Sequence, residues 1–333
     1  MAGANVFYNT KSSKPSKLSV HDALTDFSAK DAPWDVHRAQ AQDVGSIYSA
    51  SDEFERYASR MGLCSGILKF QPVPDEETGE LALKLKEARF CRVRHCPVCQ
   101  WRRSLMWQAR FLQALPSILQ KTPNARWLFL TLTVKNCSIS DLGGTLKFMN
   151  DAWNRLRLRK EFAPVLGWIR ATEVTRGRDG SAHPHFHALL MVPPSMLSGR
   201  AYVQQSRWVE LWRDCARLDY LPVVNIKAVK AKPNTAQETA LRAAVAETLK
   251  YSVKPSDMTE DAEWFLEMTR QVHKKRFIAS GGALKDVLRV DDETDADLIV
   301  AGDDSALVGT ERRIAFNWRE HERKYRRFKQ GDS

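Results

Sequence analysis

A chain of 333 residues is long enough to bury one large core or two smaller ones. It carries 51 lysines and arginines against 40 aspartates and glutamates, a net charge of +11, which points to a polyanionic partner, nucleic acid before all others. No run of about 18 apolar residues occurs and Met1 to Lys17 is polar, so the expectation is a soluble cytoplasmic protein with no membrane partner.

Residues 1–60 are poor in pattern and read as a loose arm followed by a short helix or two. Residues 61–105 form a cysteine-bearing segment that contains a turn-rich loop, Gln71-Pro72-Val73-Pro74-Asp75. Residues 101–120 read as a helix with Leu105, Ala109, Leu112 and Leu115 along it, and Trp127 to Val134 as a short apolar strand. An amphipathic helix is expected over 139–160, closing in a basic turn. Gly167 to Thr175 and His183 to Val192 read as a hairpin of two strands around the turn Arg176-Gly177-Arg178-Asp179-Gly180. A helix over 200–218, a strand from Leu221 to Val229, a polar linker and a helix over 238–252 follow. The last part, 276–333, divides into an acidic loop from Asp286 to Asp304 and a basic helix from Glu311 to Lys329. The sum is an α+β fold: an antiparallel central sheet flanked by helices, a small metal-binding segment and a helical tail.

His185-Phe186-His187 carries the most chemistry. Side chains alternate along a strand, so both imidazoles leave one face while Phe186 takes the other. Two neutral imidazoles side by side can hold a divalent ion, although such a pair could also face solvent or satisfy local hydrogen bonds. Hairpin pairing could bring Glu173 beside them as a third ligand, and an oxygen with two nitrogens suits Mg²⁺ or Mn²⁺. His183 shares the face, but Pro184 interrupts ladder bonding there.

In Ala244 to Lys254, Glu247 and Tyr251 stand four residues apart, and a helix through this stretch puts them on one face with Lys254 three residues further. A phenolate can attack phosphorus, and Lys250, Lys254 or a metal could help it ionise. A carboxylate one turn away could activate water. Glu-x-x-x-Tyr alone is a weak signal, since most such pairs are surface contacts.

Cys91-x₄-Cys96-x₂-Cys99, with Cys64 upstream, has the character of a structural zinc site. His95 could replace Cys64 as the fourth ligand. Reduced, partly buried thiols are the plainer alternative. The deaminase signature is absent in both order and wording.

Phe129-Leu130-Thr131-Leu132-Thr133, then His183-Pro184-His185-Phe186-His187, then Glu247-x-x-x-Tyr251 resemble, in order and wording, the motifs of plasmid rolling-circle replication initiators among the HUH endonucleases. The likeness runs from about Cys91 to Lys254, and Cys-Pro-x-Cys segments precede the first motif in that family too. It implies a nicking domain over 106–275 with the histidines on a central strand. It further implies that Tyr251 becomes joined to a 5′ phosphate at a plasmid origin, single-stranded or hairpin, and leaves a 3′ hydroxyl primer. One tyrosine preceded by Glu247 matches the single-tyrosine branch, where the carboxylate supports hydrolysis at termination. Host helicase and DNA polymerase would be recruited as partners, since no Gly-x-x-x-x-Gly-Lys-[Ser/Thr] loop is present.

Two other readings stay open. Single-strand transposases of the same chemistry also place the histidines before the tyrosine but are usually shorter, while relaxases generally reverse that order. A DNA-binding regulator that uses zinc and the basic tail without cutting belongs to another class.

Overall fold

The computed structural model describes residues 22–74, 81–230, 236–250, 252–289, 293–299 and 313–328. Helices α1 (Leu24–Phe27), α2 (Ala32–Ser49) and α3 (Glu55–Gly62) come first, followed by strands β1 (Ile67–Pro74) and β2 (Leu81–Ala88). Helix α4 (Pro97–Lys121), β3 (Arg126–Thr133) and α5 (Leu142–Leu156) lead to β4 (Gly167–Arg176) and β5 (Ala182–Val192). Then come α6 (Ser195–Ser198), α7 (Gln205–Ala216), β6 (Val224–Ala228), α8 (Gln237–Thr248), α9 (Pro255–Glu260) and α10 (Ala262–Gln271). Strand β7 (Ile278–Gly282), α11 (Asp295–Ile299), β8 (Ile314–Arg319) and β9 (Lys324–Arg327) complete the order.

Two antiparallel sheets result, β6-β3-β5-β4-β7 and β2-β1-β8-β9, so the class is α+β as read from the sequence. The histidine strand β5 is the middle of the five. It is buried almost throughout because helices cover both faces of the sheet. Phe186, Ala188, Leu190 and Val192 pack with Trp153 of α5 and with Trp208 and Trp212 of α7. Leu189 and Met191 pack on the other side with Phe111 and Leu115 of α4 and with Leu241, Val245 and Leu249 in and after α8. Alternation therefore puts His185 and His187 on the face that α8 covers.

Three expectations need correction. Gln71 to Pro74 is strand rather than loop, while Asp75 lies outside the described residues. Its two prolines are tolerated because β8 pairs only with Ile67 to Phe70, so the proline stretch of β1 bonds on one side alone. The expected tail helix is a hairpin, β8 with β9; Glu311 and Lys329 lie outside the described residues. Phe316 and Trp318, two apart, are buried together with Tyr325, which is a strand's period and not a helix's. The helix expected over 238–252 stops at Thr248. Pro255 holds Lys254 extended (φ −70°, ψ 139°) and starts a new helix, which prevents one continuous helix through Lys254.

The loose arm expected at the start falls largely on residues 1–21, outside the described residues, but residues 32–49 form a longer helix than expected: α2 runs for 18 residues and buries Trp34, Val44 and Tyr48. The acidic stretch is partly helical in α11, and three of its described carboxylates are paired. Glu293 binds Arg103, Asp295 binds Arg92 and Asp297 binds Arg110. Among the described residues, no helix is long and apolar enough to cross a membrane.

Candidate functional site

Register brings the first group together. Glu173 on β4 stands opposite His185 on β5, and Thr131 on β3 stands opposite His187. Glu173 Oε2 lies 3.1 Å from His185 Nε2 and 3.0 Å from His187 Nε2. All three side chains are buried. His185 Nδ1 lies 3.3 Å from the His183 carbonyl oxygen, which can only accept, so Nδ1 is the donor there and the ring is held with Nε2 toward Glu173. His187 Nδ1 meets Thr131 Oγ1 at 3.2 Å, and Phe129 stacks on that ring. Two imidazole nitrogens thus converge with a carboxylate oxygen, a donor set that fits a hard or borderline divalent cation.

Glu173 has a fourth neighbour, Lys250, whose Nζ lies 3.0 Å from Oε2. Burial alone would raise the Glu173 pKa, but hydrogen bonds with His185, His187 and Lys250 outweigh it and hold the carboxyl far below its usual range. Lys250 also donates to Glu247 Oε1 at 2.7 Å. Burial works against its charge, yet the bonds to Glu247 and Glu173 raise its pKa.

Tyr251 lies outside the described residues, but both its neighbours are fixed to the same strand. Lys250 reaches Glu173, and the Ser252 carbonyl accepts from the Val174 amide at 2.9 Å. Ser252 Oγ donates to Gln100 Oε1 at 3.1 Å, which ties the segment to the start of α4. Lys254 is exposed and precedes α9; among the described residues the lysine that meets Glu173 is Lys250. His183 turns to Asn136 Oδ1 at 2.7 Å.

The second group is made of sulfur. Cys64, Cys91, Cys96 and Cys99 are buried and free of disulfides. Cys64 and Cys99 lie 3.7 Å apart, Cys91 and Cys99 3.6 Å, and Cys64 and Cys96 3.7 Å. A tetrahedron with metal–sulfur bonds of about 2.3 Å has edges of about 3.8 Å, so four thiolates here fit a zinc ion. Cys64 holds the fourth corner. His95 instead faces Tyr48 Oη at 3.3 Å and Thr269 Oγ1 at 3.4 Å, and burial pushes its pKa down to about 3.

Comparison with known proteins bears on this arrangement. A family profile described as "Replication protein" matches residues 82–326, most of the chain. The chain belongs to the replication protein family. "Protein rep" of Lactiplantibacillus plantarum is 36% identical over 269 residues, covering 77% of this chain and 82% of that one. "Protein rep" of Lentilactobacillus hilgardii is 32% identical over 308 residues, 89% of this chain and 95% of the other. "Protein rep" of Streptococcus pneumoniae is 29% identical over 304 residues, 89% and 92% of the two chains. No solved structure matches significantly.

In this replication protein, sequence reasoning gave Glu173, His185, His187 and the cysteines, which the fold gathers into two clusters. It named Lys250 only as a helper for the tyrosine and missed its contact with Glu173. It assigned Thr131 no step, and it did not single out Gln100. The adjacency of Lys250 to Tyr251 was the one available hint; no local signal marks Gln100, whose partner is 152 residues away.

Proposed function

We propose that the protein is a plasmid rolling-circle replication initiator with the HUH arrangement, and that it nicks one strand of the origin in a sequence-specific manner. The Tyr251 oxygen attacks phosphorus, an O–P bond to tyrosine forms, and the P–O bond to the 3′ oxygen breaks. The phenolic proton leaves to solvent, and the departing 3′ oxygen takes one up to become the primer hydroxyl. His185, His187 and Glu173 would hold Mg²⁺ or Mn²⁺, which when bound polarises the phosphate. Thr131 and the His183 carbonyl fix the two imidazoles with Nε2 toward the carboxylate. Lys250 bonds to both Glu173 and Glu247 and holds the two carboxylates in place. Glu247 takes a proton from water at termination, so that hydrolysis releases the strand. The four cysteines would hold a structural zinc, with the nicking unit over 106–275 and host helicase and DNA polymerase completing replication.

The observation that carries this reading is the clamping of both neighbours of Tyr251 to β4 at Glu173 and Val174. A regulator without a cutting role would leave a carboxylate buried against two imidazoles to no purpose, at a desolvation cost. The test is incubation with a labelled single-stranded origin oligonucleotide and Mn²⁺. A denaturation-resistant adduct is expected, lost in Tyr251→Phe and in EDTA. An adduct that survives Tyr251→Phe assigns the nucleophile elsewhere, for instance Tyr220, and one that forms in EDTA removes the metal from the reading.

A further inference from the structure

Beside the Glu173 group lies a cleft of about 380 Å³ between the cysteine segment and the five-stranded sheet. Its wall is strongly basic: Arg92, Arg94, Arg103, Lys250, Lys275 and Arg276 all line it. These cations are not equivalent. Arg92 and Arg103 are paired with Asp295 and Glu293, and Lys250 with Glu173 and Glu247. Among the described residues, Arg94, Lys275 and Arg276 have no carboxylate partner. Arg94 is instead fixed by a bond to the Lys275 carbonyl at 2.7 Å and by the Phe277 ring, 5.0 Å from its guanidinium carbon. Three uncompensated positive charges on one rigid wall await anions.

Two further features narrow the ligand. Trp107, half-buried on α4, lines the same cleft and offers an aromatic face. Gln100 also lines it; the residue is only 7% exposed, and its Nε2 has no hydrogen-bond partner. A buried amide donor left unsatisfied costs free energy that an acceptor on a bound ligand would recover. Cations without carboxylate partners, an aromatic side chain and an unsatisfied amide donor in one cleft together match a nucleotide held by its backbone, ring and base edge. Ser252, bonded to Gln100 and adjacent to Tyr251 in sequence, stands in the same wall.

We infer that this cleft seats single-stranded DNA next to the phosphate to be cut, with Lys275, Arg276 and Arg94 on the backbone and Trp107 under a base. This rests on the nicking reading above and extends it to a subsite made jointly by the cysteine segment and the sheet. It gives that segment a part in gripping the strand.

The test uses the full chain carrying Tyr251→Phe, so that cleavage does not disturb binding, and a fluorescent oligonucleotide of about 15 deoxynucleotides. Lys275→Ala with Arg276→Ala should weaken binding about ten-fold or more and lower the salt slope by about 1.4, near 0.7 for each lost phosphate contact. Trp107→Leu should weaken it about five-fold or more without changing that slope. Removing equal charge off the cleft, by Arg159→Ala with Lys160→Ala, should leave affinity within about two-fold. Melting curves check that each variant is folded. Equal losses from both charge pairs, or none from Lys275 and Arg276, would overturn the assignment. Adduct formation, read separately with Tyr251 intact, keeps the two readings distinct. Binding that fails as described while the adduct forms defeats the cleft alone; binding as described without adduct defeats the nicking alone.

Discussion

Lys250 Nζ stands 3.0 Å from Glu173 Oε2, on the oxygen that also faces both histidines. The lysine and a bound divalent ion would therefore compete for one carboxylate. Lys250→Met should bind Mn²⁺ about five-fold more tightly, since a half-buried charge pair of this kind is worth roughly 1 kcal/mol. The same variant should form adduct more slowly, because Glu247 loses its partner and the residue before Tyr251 loses its anchor. Calorimetric titration with Mn²⁺ and a cleavage time course measure the two effects; both unchanged would remove Lys250 from the site.

Glu247 is exposed and held only from Lys250 among the described residues, a position suited to meeting water. Glu247→Ala should nick at close to the normal rate yet release the covalent strand at least about ten-fold more slowly. Release is followed by chasing a preformed adduct, and normal release would end the termination role.

Thr131 Oγ1 is the partner of His187 Nδ1, so it sets which ring nitrogen faces Glu173. Thr131→Val keeps the shape and removes the hydroxyl. Metal affinity should fall about ten-fold or more while thermal stability changes little. An unaltered Mn²⁺ titration would count against this.

Four buried sulfurs at tetrahedral spacing predict about one zinc per purified chain. Cys96→Ser or Cys99→Ser should bring this near zero and lower the melting temperature by about 5 °C or more, since the cluster sits inside the larger core. Cys215→Ser should keep the metal. Elemental analysis decides.

His37 lies against Trp101, and burial pushes its pKa down to about 4, against a raising bond with Gln40. The folded protein thus resists a proton that the unfolded chain accepts. As pH falls from about 6.5 to about 4, the unfolded state binds the proton first and stability is lost, by about 2 kcal/mol after allowing for partial exposure. His37→Phe should be relieved of that part of the loss between about pH 7 and 4.5 in denaturant titrations. Parallel pH curves for the two proteins would contradict it.

How much of this was legible beforehand varied with the range of the interaction. The His185 and His187 face and the strands around it follow from local alternation and were readable. So was the possibility of Glu173, because a tight hairpin links its strand to theirs. The tail was misread because interleaved aromatic and basic residues were counted as a helix, whereas Phe316 and Trp318 keep a two-residue period and Tyr325 pairs opposite Trp318 across the turn. Helix α8 was drawn too long, past its C-cap at Leu249, and carrying it toward Lys254 overlooked the effect of Pro255 on that residue. Gln100 with Ser252, and Arg103 with Glu293, join residues far apart in sequence, and no local pattern records such pairs.

The pairing of β1 with β8 has a consequence for how this chain comes into being. Phe70 finds its partner Ile314 only after about 240 further residues have been made. The sheet beside the cysteines is thus completed late in synthesis, at the cost of a long loop closure. A product halted before residue 313 carries Glu173, His185, His187 and Lys250 yet leaves Leu68 and Phe70 without the strand that covers their edge. Such a fragment should be cut by protease faster than the full chain.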